Sequence, residues 1–128
     1  MNTTPACIDE QAWARREAVL REEDGELLGF VVPVAATAWL PATVFGSPLG
    51  APAPRDDART VLEQLGLDPL ADPWLMEREE PGAGPLQVRV VEADPSCVTV
   101  RNADYGSGLD LDTCWTLPTP ALSLRWKP

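Results

Sequence analysis

Apolar stretches alternate with polar punctuation along the chain, and one stretch dominates. From Leu27 to Pro54, 28 consecutive residues carry no Asp, Glu, Lys or Arg. The first part, Leu27 to Gly46, is apolar almost throughout. A membrane-spanning helix needs about 20 such residues, so the length alone would allow a span. The chemistry points elsewhere. Pro33 and Pro41 each remove a backbone donor and clash with a preceding helical turn. Phe30, Val31, Val32, Val34, Thr43, Val44 and Phe45 are strand formers. Glu22, Glu23, Asp24 and Glu26 precede the run and Asp56 and Asp57 follow it, with no Lys or Arg cluster to set an orientation. The expectation is two buried strands, about 26–34 and 38–46, divided by Ala35, Ala36 and Thr37. Strands covered on both faces lose the two-residue alternation and read as continuous apolar runs.

After the loop at 46–54 the period changes. Ala58, Val61, Leu62 and Leu65 recur at i, i+3, i+4 and i+7, which predicts a helix near 57–65. Asp56 is the candidate N-cap, and Gly66 sits where a left-handed C-terminal residue is wanted. Asp68-Pro69 opens a second short turn that Pro73 ends. Residues 10–23 admit two readings. Their Ala, Glu and Arg content suits a helix over 10–20 capped by Asp9. The hairpin signal Asp24-Gly25 instead favours a strand from about 15 to 22 paired with the next one. Residues 1–8 read as a loose tail.

Trp74, Leu75 and Met76 begin a short strand that runs into Glu77–Glu80. Pro81-Gly82-Ala83-Gly84-Pro85 is the candidate internal boundary. Leu86–Glu92 and Cys97–Asn102 read as a hairpin turning at Asp94-Pro95-Ser96, with Val98 and Val100 on its apolar face. Residues 103–110 form a loop, and Leu111–Leu117 and Leu122–Trp126 are two further strands. The predicted fold is α+β, mainly antiparallel β with about six to eight short strands and one helix. At 128 residues the chain is read as a single compact domain, with possible sub-lobes 10–80 and 86–127 joined by 81–85. The last four strands read as a meander.

Charge narrows the function. Ten cations against 20 acids leave a net charge of −10. Nucleic acid is disfavoured, because phosphate contacts need a basic footprint. An anionic membrane surface is disfavoured for the same reason. A basic protein or a metal ion is the favoured kind of partner, and acidity also keeps a protein soluble. No histidine occurs, so Ser-His-Asp and Cys-His catalysis is not available within the chain. The opening residues lack the basic and apolar regions of a secretory signal. Cys7, Cys97 and Cys114 show no C-x-x-C spacing. Cys97 and Cys114 could meet across adjacent strands, but reduced thiols in a cytoplasmic protein are the favoured reading. Nine arginines to one lysine, with abundant Ala and Pro, resemble the composition of a high-GC bacterial genome.

The candidate chemistry is sparse. Gly46-Ser47-Pro48-Leu49-Gly50 lacks the Gly-Lys-Ser/Thr of a phosphate loop. Asn102, Asp104, Asp110 and Asp112 ring the 103–110 loop and supply oxygen ligands suited to Ca²⁺, without the EF-hand spacing. Asp110 and Asp112 are expected on one strand face. Trp13, Trp74 and Trp115, with Glu77, Glu79 and Glu80, are candidate interface residues, since Trp anchors interfaces and acids suit a basic partner. The leading reading is a small acidic protein that binds a basic protein, as an inhibitor, immunity-type partner or accessory subunit. It needs no cofactor and no catalytic residue. The alternative is a small-ligand or divalent-metal domain, or a carboxylate enzyme, with its site near 102–112. A third reading is a homo-oligomer built on exposed strand edges or on Trp patches.

Overall fold

The computed structural model describes residues 8–78, 82 and 84–127. Its elements run α1 (Glu10–Ala14), β1 (Glu17–Leu20), β2 (Leu27–Ala35), β3 (Ala38–Ala42), α2 (Arg55–Leu65), α3 (Asp68–Ala71), β4 (Trp74–Met76), β5 (Leu86–Ala93), β6 (Cys97–Asn102), β7 (Cys114–Pro118) and β8 (Leu124–Trp126). The fold is α+β and mainly antiparallel β, as the sequence predicts. One sheet has the order β1-β2-β3 and the other β7-β6-β5-β4-β8. No described helix is long and apolar enough to cross a membrane.

The charge-free run builds the middle of the first sheet. Phe30 and Val32 pack into one cluster with Ile8, Trp13 and Leu40. Val31 faces the other way, into a larger cluster with Phe45, Leu62, Trp74, Val88, Val98 and Leu124. β2 is therefore covered on both faces, which is why its pattern is continuous. The larger cluster draws on both sheets. The second strand of the run stops at Ala42 rather than at residue 46. Gly46 adopts φ +81°, and Gly46 N–H donates to Thr43 O at 3.0 Å, closing a turn.

Both readings of residues 10–23 hold in part. Asp9 caps α1 through a 2.7 Å bond from Ala12 N–H, but the helix lasts only to Ala14 and β1 follows from Glu17. The Asp24-Gly25 turn joins β1 to β2, with Gly25 at φ +72°. Ile8 is 2% exposed, so the loose tail predicted for residues 1–8 fails at its last position; residues 1–7 lie outside the described residues.

Helix α2 starts at Arg55, one residue before the expected cap. Pro54 occupies the N-cap position without a side-chain bond, and Asp56 and Asp57 lie in the first turn. They face the positive end of the helix dipole there. Ala58 and Leu62 are fully buried, and Gly66 ends the helix at φ +59°. Gly29 makes this packing possible. A Cβ at that position would lie 2.2 Å from Ala42 O and 3.3 Å from Leu62 Cδ2.

The second sheet departs from the expected meander. β8 pairs with β4, setting Trp74 opposite Trp126 and Met76 opposite Leu124. β4 comes before the 81–85 segment, yet it shares a sheet with β5, which comes after it. Leu111 and Asp112 lie in a turn, so the expected 111–117 strand starts only at Cys114. One face of this sheet, carrying Trp74, Val88, Val98 and Val100, is buried. Arg89, Arg101 and Thr116 alternate with these and are exposed.

Candidate functional site

The most developed surface feature is the loop between β6 and β7. Its ends are tied by Asn102 N–H donating to Thr113 O at 2.9 Å. Asn102 is 3% exposed, and its side chain holds the loop from inside. Its Nδ2 donates to Ser107 Oγ at 3.3 Å and to the carbonyls of Leu109 and Asp110 at 3.2 Å each. Its Oδ1 accepts from Asp104 N–H at 2.9 Å. A buried amide needs such partners to offset its lost hydration. Here three of the four partners are main-chain groups spread along the loop, so satisfying one residue shapes the whole segment.

The remaining short polar residues act locally. Asp104 Oδ1 accepts from Gly106 N–H at 3.1 Å, and its Oδ2 accepts from Gln87 N–H on β5 at 3.4 Å. Ser107 Oγ accepts from Leu109 N–H, and Asp110 Oδ1 from Asp112 N–H, both at 3.1 Å. Gly108 takes φ +79°, a conformation open to glycine. Outward, the loop presents Tyr105, 87% exposed, with Leu109 at 43% and Leu111 at 40%. Asp110 and Asp112 stand exposed beside them. A tethered, ordered loop with exposed aromatic and apolar side chains is a common vehicle for recognition.

The expected metal ligands are placed differently from the sequence reading. Among the described residues, no three His, Cys, Asp or Glu side chains converge on one point. Asn102 points into the loop as its clamp. Asp104 and Asp110 accept from their own main chain. Asp110 and Asp112 occupy a turn rather than one strand face.

The candidate interface residues divide. Trp74 is 0% exposed; it stacks edge-on against Phe45 at 5.4 Å and donates from Nε1 to Pro69 O at 2.9 Å. Trp13 is buried against Phe30 at 5.3 Å, with the Arg16 guanidinium 4.3 Å above its ring. Neither tryptophan is available to a partner. Burial of the ring while the polar edge finds an acceptor is the ordinary fate of a core Trp. Trp115 is half-buried and packs on the larger cluster. Glu77 is exposed and paired with Arg125 at 2.7 Å; Glu79 and Glu80 lie outside the described residues. Cys97 and Cys114 are free thiols. They sit at opposite ends of the β6–β7 ladder, facing Pro118 and Arg101 respectively, so they cannot meet.

A groove of about 520 Å³ runs between α1 and the β2–β3 turn, lined among others by Asp9, Arg15, Glu17, Pro33 and Trp39. Its carboxylates already have partners. Asp9 caps α1, and Glu17 pairs with Arg55. The arrangement presents no nucleophile beside a base. The strongest electrostatic shift lies elsewhere, in the β1–β2 turn. There the Arg21 side chain, followed by Glu26 N–H, lowers the Asp24 carboxyl to about 2.

Sequence reasoning marked the 103–110 loop but not its organisation. The signal was present in the Asx, Ser and Gly residues between two strands, which favour side-chain-to-backbone turns. Compared with known protein families, characterised proteins and solved structures, the chain matches none.

Proposed function

We propose that the protein works by binding another protein, with the 103–112 loop as its recognition element and a basic surface as its counterpart. The observation that carries this reading is the exposure of Tyr105, Leu109 and Leu111 on a loop held by the buried Asn102. Ordering the loop before binding lowers the entropic cost of association. Tyr is a frequent hot-spot residue. The three loop aspartates and the net charge of −10 favour a Lys- or Arg-rich partner and speed the encounter. An inhibitor or accessory subunit of a basic enzyme fits this chemistry, and catalysis is no part of it. The reading places the protein in the cytoplasm, where the free thiols Cys97 and Cys114 stay reduced.

The test compares the parent chain with Tyr105→Ala/Leu109→Ala/Leu111→Ala in capture from the source cell, at about 50 mM and about 500 mM salt. The expected result is a basic partner held at low salt by the parent and not by the variant. A partner held equally by both, or one indifferent to salt, would sink the proposal.

A further inference from the structure

A sheet edge offers main-chain groups to any extended chain, and folded proteins blunt such edges with charge, cover or brevity. Among the described residues the two sheets have four edges, and three of them are blunted. β1 carries Glu17 and is bracketed by Arg16 and Arg21. β3 is covered by the segment after it, with Trp39 and Ala53 exchanging main-chain bonds at 2.7 and 2.9 Å. β8 is three residues long, with Arg125 inside it and Lys127 just beyond. β7 has none of these devices apart from the proline at its last position. It is a five-residue strand at the end of its sheet, and no charged residue occurs from Thr113 to Leu124.

The register says which groups are free. Asn102 donates to Thr113 across the β6–β7 ladder. Antiparallel pairing alternates sides, so the main chains of Trp115 and Leu117 turn toward β6. Those of Cys114, Thr116 and Pro118 turn outward. Among the described residues, nothing bonds to the N–H or C=O of Cys114 or Thr116 on that side. Pro118 offers only its carbonyl.

The surroundings define the occupant. Asp104, Asp110 and Asp112 lie where the loop enters β7, and Asp94 lies in the turn that Thr119 touches beyond its other end, through a 2.6 Å bond to Pro95 O. No Lys or Arg occurs between Asn102 and Leu124, and Arg101 stands opposite Cys114 on β6. A second copy would bring acids against acids.

We propose that the free edge of β7, with the acidic loop that runs into it, takes up an extended basic segment of a partner polypeptide as an added strand. This rests on the protein-binding reading above and specifies its geometry. Main-chain bonds to Cys114 and Thr116 supply the strand addition, and cations at the ends of the segment meet the flanking acids.

The experiment titrates the full chain, labelled with ¹⁵N, with a blocked peptide of Val-Thr-Val-Thr-Val flanked by two lysines at each end. Binding should slow exchange of the Cys114 and Thr116 amides at least about tenfold. The Trp115 and Leu117 amides, already bonded to β6, should change little. Thr116→Pro removes an outward donor and leaves the β6 ladder intact; its affinity should fall at least about tenfold. Asp110→Asn/Asp112→Asn should flatten the salt dependence. A peptide N-methylated at every amide of its Val-Thr-Val-Thr-Val segment, and so without a donor on either edge, should not bind. The proposal fails if the peptide does not bind at about 1 mM, or if Thr116→Pro binds it unchanged. It also fails if the two amides become protected in the protein alone as concentration rises, since a second copy would then own the edge. If the captured partner is lost with the Tyr105 variant but kept with Thr116→Pro, strand addition falls and the protein-binding reading stands.

Discussion

The Ser47 hydroxyl donates to the Ala121 carbonyl at 2.6 Å across 74 positions of sequence. In return, Ala121 N–H donates to Phe45 O at 2.9 Å. Both residues are buried. This exchange fastens the turn after β3 to the segment that carries the chain from β7 round to β8. Gly46 lies between the bonded residues, and a Cβ there would meet Pro120 Cβ at 2.6 Å.

Ser47→Ala removes the short bond to the buried Ala121 carbonyl and leaves it only the 3.4 Å bond from Leu124 N–H. The expected loss is about 1–3 kcal/mol, read by urea denaturation. The exposed control Thr60→Ala, whose hydroxyl bonds only to Asp56 O in α2, should change stability by no more than about 0.5 kcal/mol.

Asn102→Ala removes the clamp of the recognition loop. Stability should drop by about 1–3 kcal/mol. Amide exchange at Asp104 and Leu109 should rise, because Asp104 N–H loses its acceptor and Leu109 its anchor. Tyr105→Ala should leave stability within about 0.5 kcal/mol while weakening partner capture. A variant that loses binding only by unfolding would show both effects together.

Gly29→Ala places a methyl group 2.2 Å from the Ala42 carbonyl at a residue with φ +154°. The β2–β3 pair must separate or α2 must shift. The expected cost is about 3 kcal/mol or more, seen as a lower thermal midpoint or loss of soluble protein. Leu62→Ala, in the same contact, should cost about 2–5 kcal/mol.

The Asp24 carboxyl is held at about 2 in the folded protein by Arg21 and by Glu26 N–H. Its unfolded value is about 3.9. Because the folded value is depressed, the stabilisation is full above about pH 4 and disappears as pH falls toward 2. Asp24→Asn should therefore narrow the gap in thermal midpoint between pH 5 and pH 2. The effect should be small and should shrink with salt, since the pair is exposed. Asp94, lowered in the same direction by its Ser96 and Cys97 hydrogen bonds, adds to the slope that remains.

Much of the fold was legible locally. The helix at 55–65 follows from apolar spacing, and the hairpins at 24–25 and 94–96 follow from turn residues whose side chains bond their own backbone. The Leu27–Ala42 strands follow from β-branched and aromatic residues, with Pro33 and Pro41 disfavouring a helix. Boundaries slipped where a tertiary contact ended an element early. Gly46 turns the chain under Pro120, and Arg16 folds over Trp13 and Phe30 between α1 and β1.

The site was less legible. Asn102 and the loop aspartates were visible as oxygen-bearing residues, but oxygen atoms alone do not say whether they face a metal ion or their own main chain. Trp13 and Trp74 were visible as large aromatic residues, but burial depends on what packs over them. Residue type sets what a side chain can do, and distant partners set what it does.

Sequence alone determined the class of the protein: acidic, lacking histidine, mainly β, with its long uncharged run in strands rather than a membrane helix. These follow from composition, periodicity and the backbone limits of proline and glycine, all local properties. Only the tertiary structure decided that β8 returns to β4, leaving β7 as an open edge beside the clamped loop. Strand order depends on contacts such as Ser47 to Ala121, and no local preference encodes which distant segment will meet a given edge.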